Sequence, residues 1–366
     1  MNTIPSIFSK ATPTYTAVGG TERAASTGLS AVLLNRGGRY PRRTQFQELE
    51  KIGFDTIVSV EGPEDRYDLE DLISRFPYVR FILLKEPVTL GEQINVGVNE
   101  LASPLIFVLW NDISFHYGGS AERIAERLFI SQKERVGSQS QIRQLCIVPV
   151  IQNSRYVPLP TLNAPAFSGD TVRSVAFMSG REEMPTLYPF DGIGIYDRDR
   201  FIQLGGFDGS LSSTYWQLMD FGFRAHLWGE EIYATQHIRL SYNGDVPPED
   251  NTTEESYRRF YLRNIAPVFR GDSAYLPWRR FFNFLMRTGG DPFQALSEFS
   301  QVRHWVKAYQ YRYRSDARSI TDLWEDISTS AQDPPEAPKN THPGDSTQSA
   351  ACASDQIPSP QERAKP

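Results

Sequence analysis

The chain has 366 residues, of which 40% are hydrophobic and 22% are charged, and its formal net charge at pH 7 is −6. This composition is typical of a soluble globular protein that is long enough to bury a core. The negative charge argues against a general nucleic-acid-binding protein, which needs a positive surface against phosphate. The two cysteines, Cys146 and Cys352, are far apart and predict neither a disulfide nor a structural zinc site.

The sequence shows neither a secretory signal nor an apolar run of membrane-spanning length, so we expect a cytoplasmic protein. Residues 1–28 are rich in small polar residues and predict a flexible arm. Residues 328–366 combine prolines and polar residues without any aromatic side chain, which predicts a disordered tail. Residues 271–327 predict a basic, aromatic helical extension, and residues 29–270 are expected to form the main domain.

Short apolar runs alternate with helical patterns through the first half of the chain. The runs have strand length and lie at 31–34, 54–60, 79–84 and 104–109. Between them, apolar residues recur at helical spacing, most clearly at Leu69, Leu72, Ile73 and Phe76. Continuous apolar strands that alternate with helices indicate an α/β fold whose mostly parallel, Rossmann-like sheet is covered on both faces.

The second half of the chain is less regular. Residues 145–150 and 192–196 predict strands, and residues 198–204 and 214–228 predict helices. The long, proline-rich stretch 153–191 is interpreted as an irregular functional loop region. The glycine-rich dinucleotide motif, the P-loop, the HExxH zinc motif and the GxSxG elbow are all missing from the sequence, which argues against the corresponding enzyme classes.

Polar residues gather where the predicted strands end. The first strand is followed by Asn35-Arg36, the second by Glu61, and the fourth by Asn111-Asp112, while Gly91 and Asn95 open the third helix. Because ligands of α/β sheets bind at the carboxyl ends of the strands, we expect these residues to surround one ligand site.

In their order and spacing these segments resemble the family 2 glycosyltransferases of the GT-A fold. The stretch Leu204–Asp208, which reads LGGFD, is similar to that family's GGFD segment. The helix 214–228 contains QLMDFGFR, which is similar to its EDxDLxxR segment. The resemblance covers roughly residues 30–270. It implies a nucleotide-binding half at 29–115 and an acceptor half at 116–270.

The resemblance implies transfer of a sugar, with inversion, from a nucleotide-sugar such as a UDP-sugar to a glycan, lipid-linked or protein acceptor. It implies a Mg²⁺ or Mn²⁺ cofactor, with Asp112 as metal ligand and His237 as a further candidate near the diphosphate. The implied donor-binding residues are Asn35, Arg36, Glu61, Gly91, Asn95 and Asn111. A cation at the strand end would neutralise the charge that grows on the leaving diphosphate.

Two positions depart from the family pattern. Trp110 stands where an aspartate is common, and Gln217-Leu218 replaces the Glu-Asp pair whose aspartate resembles the general base. The catalytic candidates left are Asp220 and Asp191. For Asp220 the alternative is a structural ion pair with Arg224, one helical turn away. A catalytically degenerate binding or scaffold module and a nucleotidyltransferase therefore stay open as alternatives.

Residues 275–287 combine aromatic and basic side chains. One interpretation is peripheral contact with an anionic membrane surface on the inner face of the membrane, which would suit a lipid-linked acceptor. The alternative is a helix that packs its apolar face on the main domain.

Overall fold

A mixed sheet, with ten strands among the described residues, forms the centre of the structure. The computed structural model describes residues 12–20, 27–36, 42–63, 68–115, 120–128, 144–169, 171–180, 183–242, 249–252, 255–288 and 292–324. All of them belong to one compact unit that spans residues 1–326.

The first half supplies the parallel part of the sheet. In chain order its elements are β1 (Tyr15–Gly19), β2 (Leu29–Leu34), α1 (Arg42–Ile52), β3 (Ile57–Glu61), α2 (Leu69–Arg75), β4 (Val79–Leu84), α3 (Leu90–Asn99), β5 (Leu105–Trp110) and β6 (Ile113–Phe115). Strands β4, β3, β2 and β5 are neighbours in that order, and each pair is parallel. Every residue of β2, β3 and β5 is buried, as expected for strands covered on both faces.

Helix α3 begins with a complete capping box. The Thr89 hydroxyl accepts the backbone N–H of Glu92, and the Glu92 carboxylate accepts the backbone N–H of Thr89. These contacts satisfy two backbone donors that a helix start otherwise leaves unpaired. They fix the first turn of α3 close to the carboxyl ends of the strands.

The second half extends the same sheet. Its elements are α4 (121–128), β7 (Gln144–Gln152), β8 (Leu162–Ser168), β9 (Thr171–Phe177), β10 (Met184–Pro185), β11 (Gly194–Asp197), α5 (Arg198–Leu204), α6 (Thr214–Leu227) and β12 (Glu231–Tyr242). The strand order continues from β5 through β11, β7 and β12 to β10, and β11 runs antiparallel to both of its neighbours. The predicted α/β class with a mostly parallel Rossmann-like sheet is confirmed.

Two segments are more ordered than the sequence predicts. Strand β1, inside the predicted flexible arm, pairs with the edge strand β4, and the Tyr15 hydroxyl donates to Glu100 at 2.6 Å. Strands β8 and β9, inside the predicted irregular region, form an antiparallel hairpin. The hairpin tolerates Pro165 because a two-stranded sheet leaves one edge of each strand without ladder hydrogen bonds.

The C-terminal part is largely helical, as predicted for the extension. It contains α7 (Glu255–Phe260), a π-helical turn (Tyr261–Ile265), a small hairpin of β13 (Val268–Arg270) and β14 (Ser273–Tyr275), α8 (Arg279–Thr288) and α9 (Pro292–Ala308). The Trp228 ring stacks on Trp305 and Tyr309, which attaches α9 to the end of α6. The predicted tail, 328–366, lies outside the described residues.

Helix α8 leaves large apolar side chains in solvent: Phe282 is 66% exposed and Met286 is 78% exposed. Phe284, on the opposite face, is buried. No helix within the described residues is long and apolar enough to cross a membrane. The peripheral membrane contact expected through 275–287 stays a prediction.

Candidate active site

A cavity of about 790 Å³ opens where β2 and β5 end, between the first turns of α3 and α6. This is the edge of the sheet at which the sequence predicts a ligand. Its wall includes Arg36, Trp110, Asp191, Leu218 and Glu249.

Arg36 and Asp112 meet because of strand register. Strands β2 and β5 are parallel, with Leu34 opposite Trp110, so the residues two positions further along also lie side by side. Arg36 Nε is 3.0 Å from Asp112 Oδ2, and the Arg36 guanidinium carbon is 3.9 Å from the centre of the Trp110 ring. Arg36 borders the cavity, whereas Asp112 lies behind it and is 3% exposed.

Asp191 completes this group from the turn that precedes β11. Its carboxylate is paired with Arg36 and accepts a hydrogen bond from the Tyr242 hydroxyl at 2.8 Å. The Trp110 indole donates to the Asp191 carbonyl at 2.9 Å. Asp191 has a positive φ of 55°, which is uncommon for a residue other than glycine and occurs often at functional sites. We call Arg36, Asp112 and Asp191 the open cluster.

Two carboxylates and one guanidinium give the open cluster a formal charge of −1. Burial raises the pKa of Asp112, and the Arg36 guanidinium offsets part of that effect. Burial also raises the pKa of the Tyr242 hydroxyl, which keeps it protonated as a donor to Asp191. Among the described residues, Arg36 Nη1 has no hydrogen-bond partner, and the side chain is 20% exposed to the cavity.

Comparisons with known proteins identify the fold. No family model matches the sequence, and no curated protein matches it either. A structure of GalNAc-T7 with UDP, GalNAc and Mn²⁺ is 13% identical, with a TM-score of 0.54 over 82% of this chain and 58% of that chain. The chain has a GT-A fold. At this identity the similarity establishes the fold alone, and the chain spans little more than half the length of that protein.

A structure of residues 1–349 of S. aureus TarS with UDP-GlcNAc is also similar, at 12% identity over 82% of this chain and 92% of that chain. Its TM-score of 0.44 is too low to support an argument. The similarity to the GalNAc-T7 structure confirms, at the level of the fold, the resemblance to GT-A enzymes found in the sequence.

Within this GT-A fold, three predicted donor-binding residues make internal contacts. Asn35 donates to the Val60 carbonyl at 2.8 Å. Glu61 is fully buried, accepts the Ser59 hydroxyl at 2.6 Å and is paired with Arg42. Asn111 accepts the backbone N–H of Arg36 at 3.3 Å. The structure therefore places Asn35 and Glu61 at the strand ends but outside the cavity wall, and their contact with a donor stays a prediction.

Gly91 and Asn95 hold α3 against the loop that precedes α6. The Gly91 N–H donates to Gln217 Oε1 at 3.0 Å, and a Cβ on Gly91 would lie 2.5 Å from Phe207 Cβ. Asn95 exchanges two hydrogen bonds with the backbone of Phe207, at 2.8 and 2.9 Å. Gln217 also donates to Thr89 Oγ1 at 2.7 Å, so it joins the starts of the two helices. These contacts give all three residues a packing role.

Asp220 lies in the interior, away from the cavity wall. It is fully buried and pairs with Arg224 at 2.9 Å and with Asn264 at 2.8 Å. Arg224 also donates to the carbonyl oxygens of Leu204 and Gly206, at 2.6 and 2.8 Å. We call Asp220, Arg224 and Asn264 the sealed cluster.

The structure contains the Asp220–Arg224 pair that the helical spacing indicates as the alternative to catalysis. His237 is exposed on β12 and does not border the cavity. Its predicted role near a diphosphate stays a prediction.

Sequence reasoning missed two participants in this region. Tyr242 ends β12 and reaches Asp191, although its sequence neighbourhood gives no sign of that contact. Glu249 borders the cavity from an acidic segment after β12, and both of its carboxylate oxygens lie 3.1 Å from the Tyr188 hydroxyl. The two consecutive acidic residues Glu249 and Asp250 were the signal for Glu249 that the sequence offered.

Proposed function

We propose that this chain is a glycosyltransferase that moves a sugar from a nucleotide-sugar donor to a glycan or glycoconjugate acceptor. The observation that carries the proposal is the cavity at the carboxyl ends of β2 and β5, with the Arg36 guanidinium in its wall. Ligands of α/β sheets bind at this edge. Charge-assisted hydrogen bonds from arginine suit a leaving nucleoside diphosphate.

The contacts around Arg36 support a role in positioning the diphosphate. Two carboxylates hold Nε and Nη2, and the Trp110 ring lies under the guanidinium plane. The side chain therefore needs little further ordering to present Nη1 to a phosphate oxygen, and pre-organised donors bind at lower entropic cost.

A divalent ion fits this place in part. The Asp112 and Asp191 carboxylates both face the same positive group, the Arg36 guanidinium. A Mg²⁺ ion is commonly held by one or two carboxylates together with substrate phosphates. Asp112 Oδ1 is buried without a hydrogen-bond partner among the described residues, so one ligand atom is spare. No group of three or more His, Cys, Asp or Glu side chains suited to a metal occurs in the described part of the chain.

We propose that Asp112 and Asp191 would hold Mg²⁺ or Mn²⁺, which would act as a Lewis acid toward the leaving diphosphate. The ion and the Arg36 guanidinium compete for the same Oδ2 atoms.

Titration calorimetry with UDP tests the proposal. We expect wild-type protein to bind UDP, to bind it more tightly with MnCl₂ than with EDTA, and to lose this gain in Asp112→Ala. Asp199→Ala is the matched control, because Asp199 is an aspartate with 84% side-chain exposure on α5. If the wild-type protein binds no UDP either with MnCl₂ or with EDTA, the proposal is wrong.

The second candidate is a catalytically degenerate module that binds a nucleotide-sugar and partners an active transferase. It is favoured by Leu218, an apolar wall residue at the family's general-base position, and by Trp110 at the first acidic position. UDP release from UDP-sugars separates the two candidates. A module binds UDP without releasing it from the donor, whereas the transferase turns the donor over.

A further inference from the structure

The cavity lacks a carboxylate at the position where the GT-A resemblance implies a general base. Leu218 occupies that position and borders the cavity, while Asp220, two residues later, belongs to the sealed cluster. Asp191 does border the cavity, but Arg36 and the Tyr242 hydroxyl both stabilise its charged form. A carboxylate held in this way is a poor proton acceptor.

Glu249 supplies a different carboxylate to the same cavity. Its two oxygens each lie 3.1 Å from the Tyr188 hydroxyl, which also lies 3.0 Å from Ser174 Oγ. The Trp216 indole donates to the Thr252 carbonyl at 2.8 Å, which attaches the segment 249–252 to α6. Glu249 is therefore held over the cavity by two separate contacts, although the residue as a whole is exposed at the rim.

The surroundings of Glu249 differ from those of Asp191. No Arg or Lys side chain in the described part of the chain forms an ion pair with Glu249. Burial raises the pKa of its carboxyl, with the Tyr188 hydrogen bond acting against that rise. The titratable groups that face it are Tyr188 and Tyr215, and burial raises the pKa of both phenols. Neither phenol ionises in the acidic range where Glu249 gains its proton.

The geometry points to Glu249 as the general base of the reaction, acting on the acceptor hydroxyl in place of the carboxylate missing at Leu218. This inference rests on the proposed glycosyltransferase function. The acceptor oxygen forms a bond to the anomeric carbon of the donor while its proton passes to the Glu249 carboxylate. The bond from that carbon to the phosphate oxygen breaks, and its electron pair leaves with the nucleoside diphosphate.

The test compares Glu249→Gln with Glu48→Gln in the full chain. Glutamine keeps the shape of the side chain and a hydrogen-bond acceptor for Tyr188 but accepts no proton at neutral pH. Glu48 is an exposed glutamate on α1 that does not border the cavity, so the same substitution there is the matched control. The measured quantities are UDP release from UDP-glucose, UDP-galactose, UDP-GlcNAc and UDP-GalNAc, with water as the acceptor whose O–H the base deprotonates, together with UDP affinity and thermal stability.

We expect Glu249→Gln to lower the rate of UDP release at least about 100-fold, the usual minimum for loss of a general base. UDP affinity and thermal stability should stay at wild-type values, and Glu48→Gln should behave as wild type. The wild-type rate should fall with decreasing pH as one group takes up a proton, and this acid limb should vanish from the residual Glu249→Gln activity. Loss of a merely structural contact would leave the acid limb in place.

The outcomes separate the inference from the function on which it rests. If wild-type protein releases UDP and Glu249→Gln does so equally fast, Glu249 is not the base and the proposed function survives. The inference is overturned in the same way if both variants lose activity alike. If wild-type protein releases no UDP from any of the four donors, the transferase proposal fails and the inference fails with it.

Discussion

Both clusters pair an arginine with aspartate, but they differ in the exposure of the arginine and in how many of its nitrogens have a partner. In the sealed cluster, Arg224 is 1% exposed, and its described hydrogen bonds end on Asp220 and on two backbone carbonyls. In the open cluster, Arg36 is 20% exposed, its Nε meets Asp112 only as an ion pair, and its Nη1 has neither an ion-pair nor a hydrogen-bond partner among the described residues. The sealed cluster is complete as a protein structure, whereas the open cluster has a donor left for a ligand.

This difference explains why one motif contributes to folding and another to the site. The sealed cluster ties α6 to the GGFD loop through Leu204 and Gly206, and to the π-helical turn through Asn264. Resemblance to a family segment therefore does not by itself identify a catalytic aspartate. Burial and the number of satisfied hydrogen bonds separate the two cases.

The largest expected effect comes from breaking the sealed cluster. Asp220→Ala leaves the Arg224 guanidinium buried and unpaired, and removal of one partner of a buried pair costs about 3–5 kcal/mol. Urea unfolding followed by circular dichroism measures the loss in free energy of unfolding. Asp220→Asn, which keeps one acceptor and the side-chain shape, serves as the milder control. Unchanged stability with abolished UDP release would contradict the structural role and restore Asp220 as a catalytic residue.

Breaking the open cluster should change ligand binding more than folding. We expect Arg36→Ala to weaken UDP binding about 10- to 100-fold in EDTA, since a hydrogen bond to a charged group contributes about 1.5–3 kcal/mol. EDTA is needed because a divalent ion would otherwise occupy the place of the guanidinium. The loss in unfolding free energy should be smaller than in Asp220→Ala, because Asp191 borders the open cavity. The other partner, Asp112, is buried, but burial raises its pKa and it can take up a proton instead of keeping an unpaired charge.

Calorimetry measures this effect, and Arg279→Ala is the control because Arg279 is an exposed arginine on α8. A variant that binds UDP as tightly as wild type would remove Arg36 from the donor site. If Arg36→Ala lowers the free energy of unfolding as much as Asp220→Ala does, the two clusters do not differ in their contribution to stability.

The sequence predicted the parallel half of the sheet because the signal there is local. Apolar runs at 79–84 and 104–109 correspond within one residue to β4 and β5, and the carboxyl edge follows from the strand order. The secondary structure of the second half of the chain was harder to predict. The β8–β9 hairpin depends on pairing between two strands whose proline and polar content masks the alternation expected of a strand.

The contacts of the site could not be predicted in the same way. Arg36 meets Asp191 across 155 residues of sequence and Tyr242 across 206. Glu249 reaches the cavity from a segment without any periodicity. Such contacts are set by how distant segments pack, and the spacing of residues along one segment carries no information about them. Trp110 is a similar case. In the sequence it stands where the family commonly has an acidic metal ligand, whereas in the structure its ring packs against the Arg36 guanidinium.

The smallest expected effect tests whether water is excluded from the protein interior around α6, through the pH dependence of the free energy of unfolding. His226, on that helix, is buried against Trp324 and contacts the Thr186 carbonyl at 3.1 Å. Burial lowers its pKa from 6.5 to about 4. Between these values the unfolded chain binds a proton at this imidazole that the folded chain does not bind. The stability present above pH 6.5 is therefore lost as the pH falls, by about 2 kcal/mol at pH 5.

Urea unfolding at pH 7 and pH 5 measures this loss, and His226→Gln isolates it from the other groups that titrate in acid. The variant should lose about 2 kcal/mol less than wild type between the two pH values. If His226→Gln keeps the full pH dependence, water reaches the imidazole in the folded protein. The interior around α6 would then be as open as the cavity, and the contrast between the two clusters would rest on hydrogen bonding alone.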